Sequence, residues 1–203
     1  AAGGDAPDLT WRVLLSLPIL MCFAYFLFLA VAGIALQNFL APTLLDLHGT
    51  PIAVGAAALT AYLLGSAVGI LFGGYTADRV ERHELMVGVG LAGAAVLVLV
   101  AGYVPLEALA LNALLAAAGF LGGLASPARD MLVRRATPKG ATGKVFGFVY
   151  SGLDLGSTTA PTLAGFLVDH GHPIGVLWLV AAGQLLAILT AFGLGRRPRQ
   201  PVA

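Results

Sequence analysis

Residues 150–162 read YSGLDLGSTTAPT, a polar patch inside a stretch that is apolar on both sides. Tyr150, Asp154, Thr158 and Thr162 recur every fourth position, so on a helix they share one face. Asp154 lies about ten residues past Lys144, roughly 15 Å along a helix rising 1.5 Å per residue. If that helix crosses a membrane, the acid is near the midplane. An acid there is costly unless it is neutral, paired or facing water. One chemistry is therefore proton uptake and release by Asp154, beside a path lined by the hydroxyls of Tyr150, Ser151, Ser157, Thr158 and Thr162. The other is a structural aspartate hydrogen-bonded to a neighbouring helix, with Asn112 or Gln184 as partner. The residue types alone leave both open.

Six apolar segments, at about 13–40, 52–75, 85–104, 106–126, 144–168 and 173–194, are each long enough for a hydrocarbon core of ~30 Å, which takes roughly 20 helical residues. All eleven basic residues fall on one side of the alternation these segments create. Arg12 precedes the first. Arg79 and Arg82 follow the second; Arg129, Arg134, Arg135, Lys139 and Lys144 follow the fourth; Arg196, Arg197 and Arg199 follow the sixth. The intervening loops hold Asp46, Glu107 and Asp169 without a single Lys or Arg. Basic loops stay in the cytoplasm during insertion, which predicts six spans in the inner cell membrane with both termini cytoplasmic. Helix 2 then runs outside to inside, and helix 5 inside to outside.

Composition agrees with membrane burial: 59% of residues are apolar and 10% charged, too little polar surface to disperse a soluble domain. The net charge of +1 says nothing about nucleic acid, because the basic residues are accounted for by topology, and no nucleic acid partner is expected. Cys22 is the lone cysteine and forms neither a disulfide within the chain nor a metal cluster. The start, AAGGDAPDLT, reads as a linker (1–11) without signal-peptide features. Residues 12–195 form the expected transmembrane bundle and 196–203 a basic tail. Pro42 and Pro51 are expected to bracket the loop after helix 1. Ser126 to Lys144 is long enough for a short amphipathic helix along the membrane surface.

Residues 64–78, LGSAVGILFGGYTAD, align without gaps on 155–169, LGSTTAPTLAGFLVD. Leu64, Gly65, Ser66, Gly74 and Asp78 match Leu155, Gly156, Ser157, Gly165 and Asp169. Each stretch occupies the second helix of a three-helix group, and the two helices run in opposite directions. The expected fold is an all-α integral membrane protein of six helices built as two inverted three-helix repeats, a device typical of transporters. Gly65, Gly69 and Gly73 on helix 2, and Gly152, Gly156, Ala160 and Ala164 on helix 5, form ridges that let backbones approach closely. Pro161 removes one backbone bond within helix 5 and is expected to bend it.

At the end of helix 2 the sequence GYTADRVERH, residues 74–83, resembles the signature of the major facilitator superfamily. Gly74, Asp78, Arg79 and Arg82 match; Glu81 and His83 depart from the pattern. The degraded signature, the linker-like start and the basic tail resemble the second, C-terminal six-helix half of such a transporter. That resemblance implies alternating access, a small-molecule substrate, a second six-helix half as partner and membrane lipid around both. It also implies that Asp78, Arg79 and Arg82 form a latch at the inner gate, although Arg79 and Arg82 equally serve topology. The family's cavity is lined by the first, second, fourth and fifth helices of each half, which makes Gln37, Asn38, Tyr62 and Asn112 further cavity candidates. The apolar third helix suits a lipid-facing support.

No organic cofactor is expected; a proton gradient would supply the energy. His48, His83, His170 and His172 all fall in loops or at helix ends, leaving no partner for a deep nucleophile, so an enzyme is not expected. Asp169, His170 and His172 read as a solvated turn rather than a metal site. Hydroxyl-rich polarity with a single deep acid favours efflux of drug-like or small organic molecules, as an antiporter would carry out. The rival readings are an uncoupled facilitator of a small polar solute and a non-transporting membrane scaffold.

Overall fold

The computed structural model describes residues 14–77, 79–80, 82–136 and 142–195. The expected linker and tail, together with Asp78 and Glu81, lie outside them. Six helices follow in order: α1 (Leu17–His48), α2 (Ile52–Ala77), α3 (His83–Tyr103), α4 (Ala108–Ala136), α5 (Thr142–Asp169) and α6 (Ile174–Gly195). No strand occurs among the described residues. The shortest, α3, has 21 residues and so reaches across a hydrocarbon core of ~30 Å. Five of the six are also apolar enough to span a membrane by composition. α5 is long enough at 28 residues but carries the polar positions of 150–162.

Helix ends follow from local backbone chemistry. Pro18 stands in the first turn of α1, where its missing N–H leaves no bond unmade. Gly49 ends α1 in the left-handed region, φ 67°, and its N–H donates to the Leu45 carbonyl at 2.8 Å. Gly171 does the same after α5 at φ 73°; the N–H groups of Gly171 and His172 donate to Val168 and Leu167 carbonyls, both at 2.9 Å.

Two sequence expectations are corrected. α1 does not stop near residue 40: Pro42 lies inside the helix, and the loop shrinks to 49–51. Proline interrupts one hydrogen bond, but tertiary packing of Leu40, Thr43 and Leu44, all at most 1% exposed, holds the helix through it. The second concerns 126–144. In place of a separate surface helix, α4 continues unbroken through Pro127 to Ala136. Ala125, Ala128, Leu132 and Val133 bury one face of that extension against α1, α3 and α6.

The helix registers establish the inverted repeat. Gly65, Gly69 and Gly73 of α2 stand against the carbonyls of Ala116, Phe120 and Leu124 of α4, so numbers rise together and the two helices are parallel. Gly152 and Gly156 of α5 likewise meet Phe23 and Leu27 carbonyls of α1. α6 runs against α1, with Gly183 at Phe28 and Gly193 at Met21. α3 runs against α6, with Gly88 at Phe192 and Gly102 at Leu177. The first three helices and the last three thus have the same arrangement with opposite sense. Second helix packs on the first of the other triplet in both cases, and the two third helices pack on each other.

Two buried clusters fill the bundle. One, toward the end that holds the start of α1, contains Cys22, Phe26, Val87, Leu91, Leu132, Val145, Val149 and Ile188. The other, toward the opposite end, contains Leu36, Leu40, Leu44, Val98, Leu111, Leu115, Leu177 and Val180. Large apolar side chains also face outward, among them Leu71 at 75%, Val89 at 69% and Leu109 at 83% exposure, which suits a hydrocarbon surround.

Candidate functional site

α5 is oriented by its small residues. Gly152 and Gly156 abut α1 backbone, where a Cβ would come within 2.6 and 2.5 Å of the Phe23 and Leu27 carbonyls. Ala160 and Ala164 continue that stripe, fully buried. Two residues along an α-helix is a rotation of roughly 200°. The polar stripe of Tyr150, Asp154, Thr158 and Thr162 is offset by two positions from the small stripe, so its backbone faces away from the α1 crossing, and the Tyr150 ring reaches back to α1. All four residues are exposed. The same rule acts on α2, where the side opposite Gly65, Gly69 and Gly73 exposes Leu63, Leu71 and Tyr75. Two repeats of one design therefore present a mostly apolar outward face on α2 and a polar one on α5.

Thr158 on that face, with Ser151 and Thr159 beside it, satisfies its hydroxyl within α5. Thr158 Oγ1 donates to the Asp154 carbonyl at 2.7 Å, Ser151 Oγ to the Phe148 carbonyl at 2.7 Å and Thr159 Oγ1 to the Leu155 carbonyl at 2.8 Å. The Asp154 carboxylate makes no hydrogen bond or ion pair among the described residues. The expected structural partners do not reach it: Gln184 is buried on α6, and Asn112 is half-buried on α4. Gln184 Oε1 and Asn112 Oδ1 are themselves buried without a hydrogen-bond partner among the described residues. The reason is geometric, since α5 meets α6 only slightly and turns Asp154 outward.

Tyr150 connects this face to the bundle. Its ring meets Phe26 of α1 edge-on at 5.1 Å between centroids and Phe146 at 5.8 Å. Phe26 in turn lies under the Arg129 guanidinium, 4.9 Å from the ring centroid, and Arg129 Nε donates to Asp130 Oδ1 at 2.8 Å. The Arg129–Asp130 pair lies in the stretch expected to form a separate surface helix; it belongs to α4, with the Arg129 side chain only 20% exposed. The usable signal was the continuation of Leu124, Ala128 and Leu132 at helical spacing past Pro127.

The other candidates are dispersed. Gln37 and Asn38 are exposed on α1, level with the far part of α5, as the approach of Phe39 to Gly165 indicates. Tyr62 belongs to a helix contact: its carbonyl lies against Gly119 of α4 and its hydroxyl over Gly122. Of the signature residues, Gly74 has open space around it, while the Arg79 guanidinium covers the Tyr75 ring at 3.9 Å. Arg82 pairs with Glu84 at 3.6 Å, largely in the open.

A parallel α2–α4 pair, its inverted copy in α5–α1 and the signature at the end of α2 agree with a comparison against known families. The family model described as Major Facilitator Superfamily matches residues 9–203. The chain belongs to the Major Facilitator Superfamily. Within this superfamily chain the match covers all six helices, and the chain is a multi-pass membrane protein. Among curated proteins it is similar to the uncharacterized transporter YgaY of Escherichia coli O157:H7 and to the YgaY protein of strain K12. Each is 33% identical over 168 residues, covering 79% of this chain. The chain spans about 40% of the length of those relatives.

Proposed function

We propose that this six-helix unit is half of a secondary transporter that moves a small solute across the inner cell membrane by alternating access. The observation that carries the reading is the face of α5: Tyr150, Asp154, Thr158 and Thr162 are the exposed polar stripe on a bundle whose other outward surfaces are mostly apolar. A stripe of that kind is compatible with a water-filled path shared with a second six-helix unit. Exposure toward such a path would let Asp154 exchange its proton with water, and its carboxylate has no partner among the described residues to compete for it. The reading makes Asp154 the coupling group, with hydroxyls of the same face beside the solute. The YgaY relatives, named as transporters, support transport as the class of activity. Efflux of drug-like or small organic molecules is the preferred substrate class, since the stripe offers hydroxyls and one acid but no deep cation. Arg79 and Arg82, in the segment that joins α2 to α3, would act with Asp78 of the same signature at the inner gate, with both termini cytoplasmic.

The test uses the complete protein in inverted vesicles under an imposed proton gradient, with dequenching of a pH-sensitive dye as readout across a panel of amphipathic cations and neutral drugs. Asp154→Asn is expected to abolish solute-dependent proton movement while membrane insertion persists. Unchanged proton movement in that variant removes Asp154 from the mechanism.

A further inference from the structure

Two aromatic pairs bridge α1 and α5, and they differ in what lies behind them. Phe23 stacks on Phe148 with ring centroids 5.1 Å apart. Phe148, Gly152 and Gly156 follow at intervals of four, so this pair belongs to the close seam between the two helices. Phe26 meets Tyr150 edge-on at the same 5.1 Å, but Tyr150 stands on the polar stripe, 39% exposed and one turn before Asp154. Phe26 itself is 1% exposed and is enclosed by groups from three helices. The Arg129 guanidinium of α4 lies 4.9 Å from its ring centroid, Tyr25 of α1 packs edge-on at 5.8 Å, and Tyr150 of α5 is the third. The guanidinium is oriented in turn by the 2.8 Å bond from its Nε to Asp130 Oδ1. Only the Phe26–Tyr150 pair is anchored by a charge, and only that pair reaches the polar face.

We infer that Phe26 is a positioning residue for the polar face: it holds the Tyr150 ring in one pose beside the solute path, and Arg129 with Asp130 holds Phe26. The inference rests on the transport reading of that face. An exposed tyrosine samples several staggered rotamers, each showing a different surface to a solute. An edge-to-face contact depends on the mutual orientation of the rings, so a fixed Phe26 selects one of those rotamers. The solute then meets an aromatic wall that is already set, and less side-chain freedom is lost when it binds. Removing the Phe26 ring leaves a void beneath Tyr150 into which that ring can fall back from the path. The effect falls on solute affinity, while the proton step stays with Asp154.

The test places fluorotyrosine at position 150 alone in the complete protein, reconstituted in nanodiscs and read by fluorine NMR. One narrow resonance is expected in the parent and in Phe23→Leu, and a broadened or divided one in Phe26→Leu. In the inverted-vesicle assay with ethidium as the solute, Phe26→Leu is expected to raise the half-saturating concentration about threefold to tenfold at an unchanged maximal rate. Tyr150→Leu should do the same, and the double variant no more than either change alone. Phe23→Leu, which removes the seam pair at the same spacing, should leave the half-saturating concentration as it was. If Phe26→Leu does not fold, Arg129→Gln, on a partly exposed residue, is expected to move both readouts in the same direction, and Arg129→Lys to restore them. A resonance that neither variant alters, additive effects of Phe26→Leu and Tyr150→Leu, or an equal rise in Phe23→Leu overturns the inference. Retained proton movement in Asp154→Asn would instead overturn the coupling role of Asp154, while the fluorine signal still decides whether Phe26 sets Tyr150.

Discussion

Gly65 and Gly156 are equivalent residues of the two repeats, 91 positions apart, and each stands against a backbone carbonyl of the helix that opens the other triplet. For Gly65 it is Ala116 of α4; for Gly156 it is Leu27 of α1. The absence of a Cβ at both sites is what permits the close helix crossing. In lipid, where apolar side chains gain little by leaving the surround, close backbone packing of this sort is a main source of helix association.

Gly69 and Gly74 separate packing from mere abundance of glycine. A side chain at Gly69 would collide with the Phe120 carbonyl of α4, whereas Gly74 has nothing nearby. Gly69→Leu is predicted to destabilise the bundle by about 3 kcal/mol or more, as overpacking against backbone does. Gly74→Ala should leave the thermal unfolding midpoint in detergent nearly unchanged. Equal midpoints for the two variants would contradict the α2–α4 crossing.

Gly49 and Gly171 are needed for a different reason. Both have positive φ, where an added Cβ is strained, and both have open space around them. Alanine at either should cost about 1 kcal/mol through backbone conformation alone. Equilibrium unfolding of each variant in mixed micelles measures it; a loss that vanishes with Gly49→Asn, a residue tolerant of this region, would confirm the cause.

Gln184 is 3% exposed and its Oε1 has no partner among the described residues. A buried acceptor left unsatisfied costs roughly 1–3 kcal/mol, so an apolar side chain of similar volume removes that penalty. Gln184→Leu is expected to keep or raise the unfolding midpoint. A marked fall would mean that the side chain has a hydrogen-bonding task in the assembled protein.

Arg129 holds Asp130 and covers Phe26, which supports Tyr150. Arg129→Gln removes the ion pair and the cation–π contact together, a predicted loss of about 1–2 kcal/mol. Arg129→Lys keeps the charge and should recover part of it. Parity between the Gln variant and the parent in thermal unfolding would remove this chain of contacts from the energetics.

The six spans and their alternation were legible because they depend on local composition: twenty apolar residues and a basic loop announce themselves without any knowledge of neighbours. The α5 face was legible too, since i, i+4 spacing alone puts Tyr150, Asp154, Thr158 and Thr162 together. Helix ends were less so. Pro42 reads as the edge of a loop because a proline deletes one hydrogen bond, yet burial on either side outweighs that loss, as it does at Pro127 in α4. For the same reason the stretch carrying Arg129 and Asp130 read as a separate surface helix rather than as the end of α4.

Sequence by itself determined the helical class, the number of segments and the inverted relation of the triplets, because charge distribution and apolar length act segment by segment. Tertiary structure decided which way each helix turns. Only the contact of Gly152 and Gly156 with the α1 backbone directs Asp154 outward, and only the absence of a bond from Asn112 or Gln184 leaves its carboxylate without a described partner. Helical periodicity defines a face; close packing of a neighbouring helix selects where that face looks.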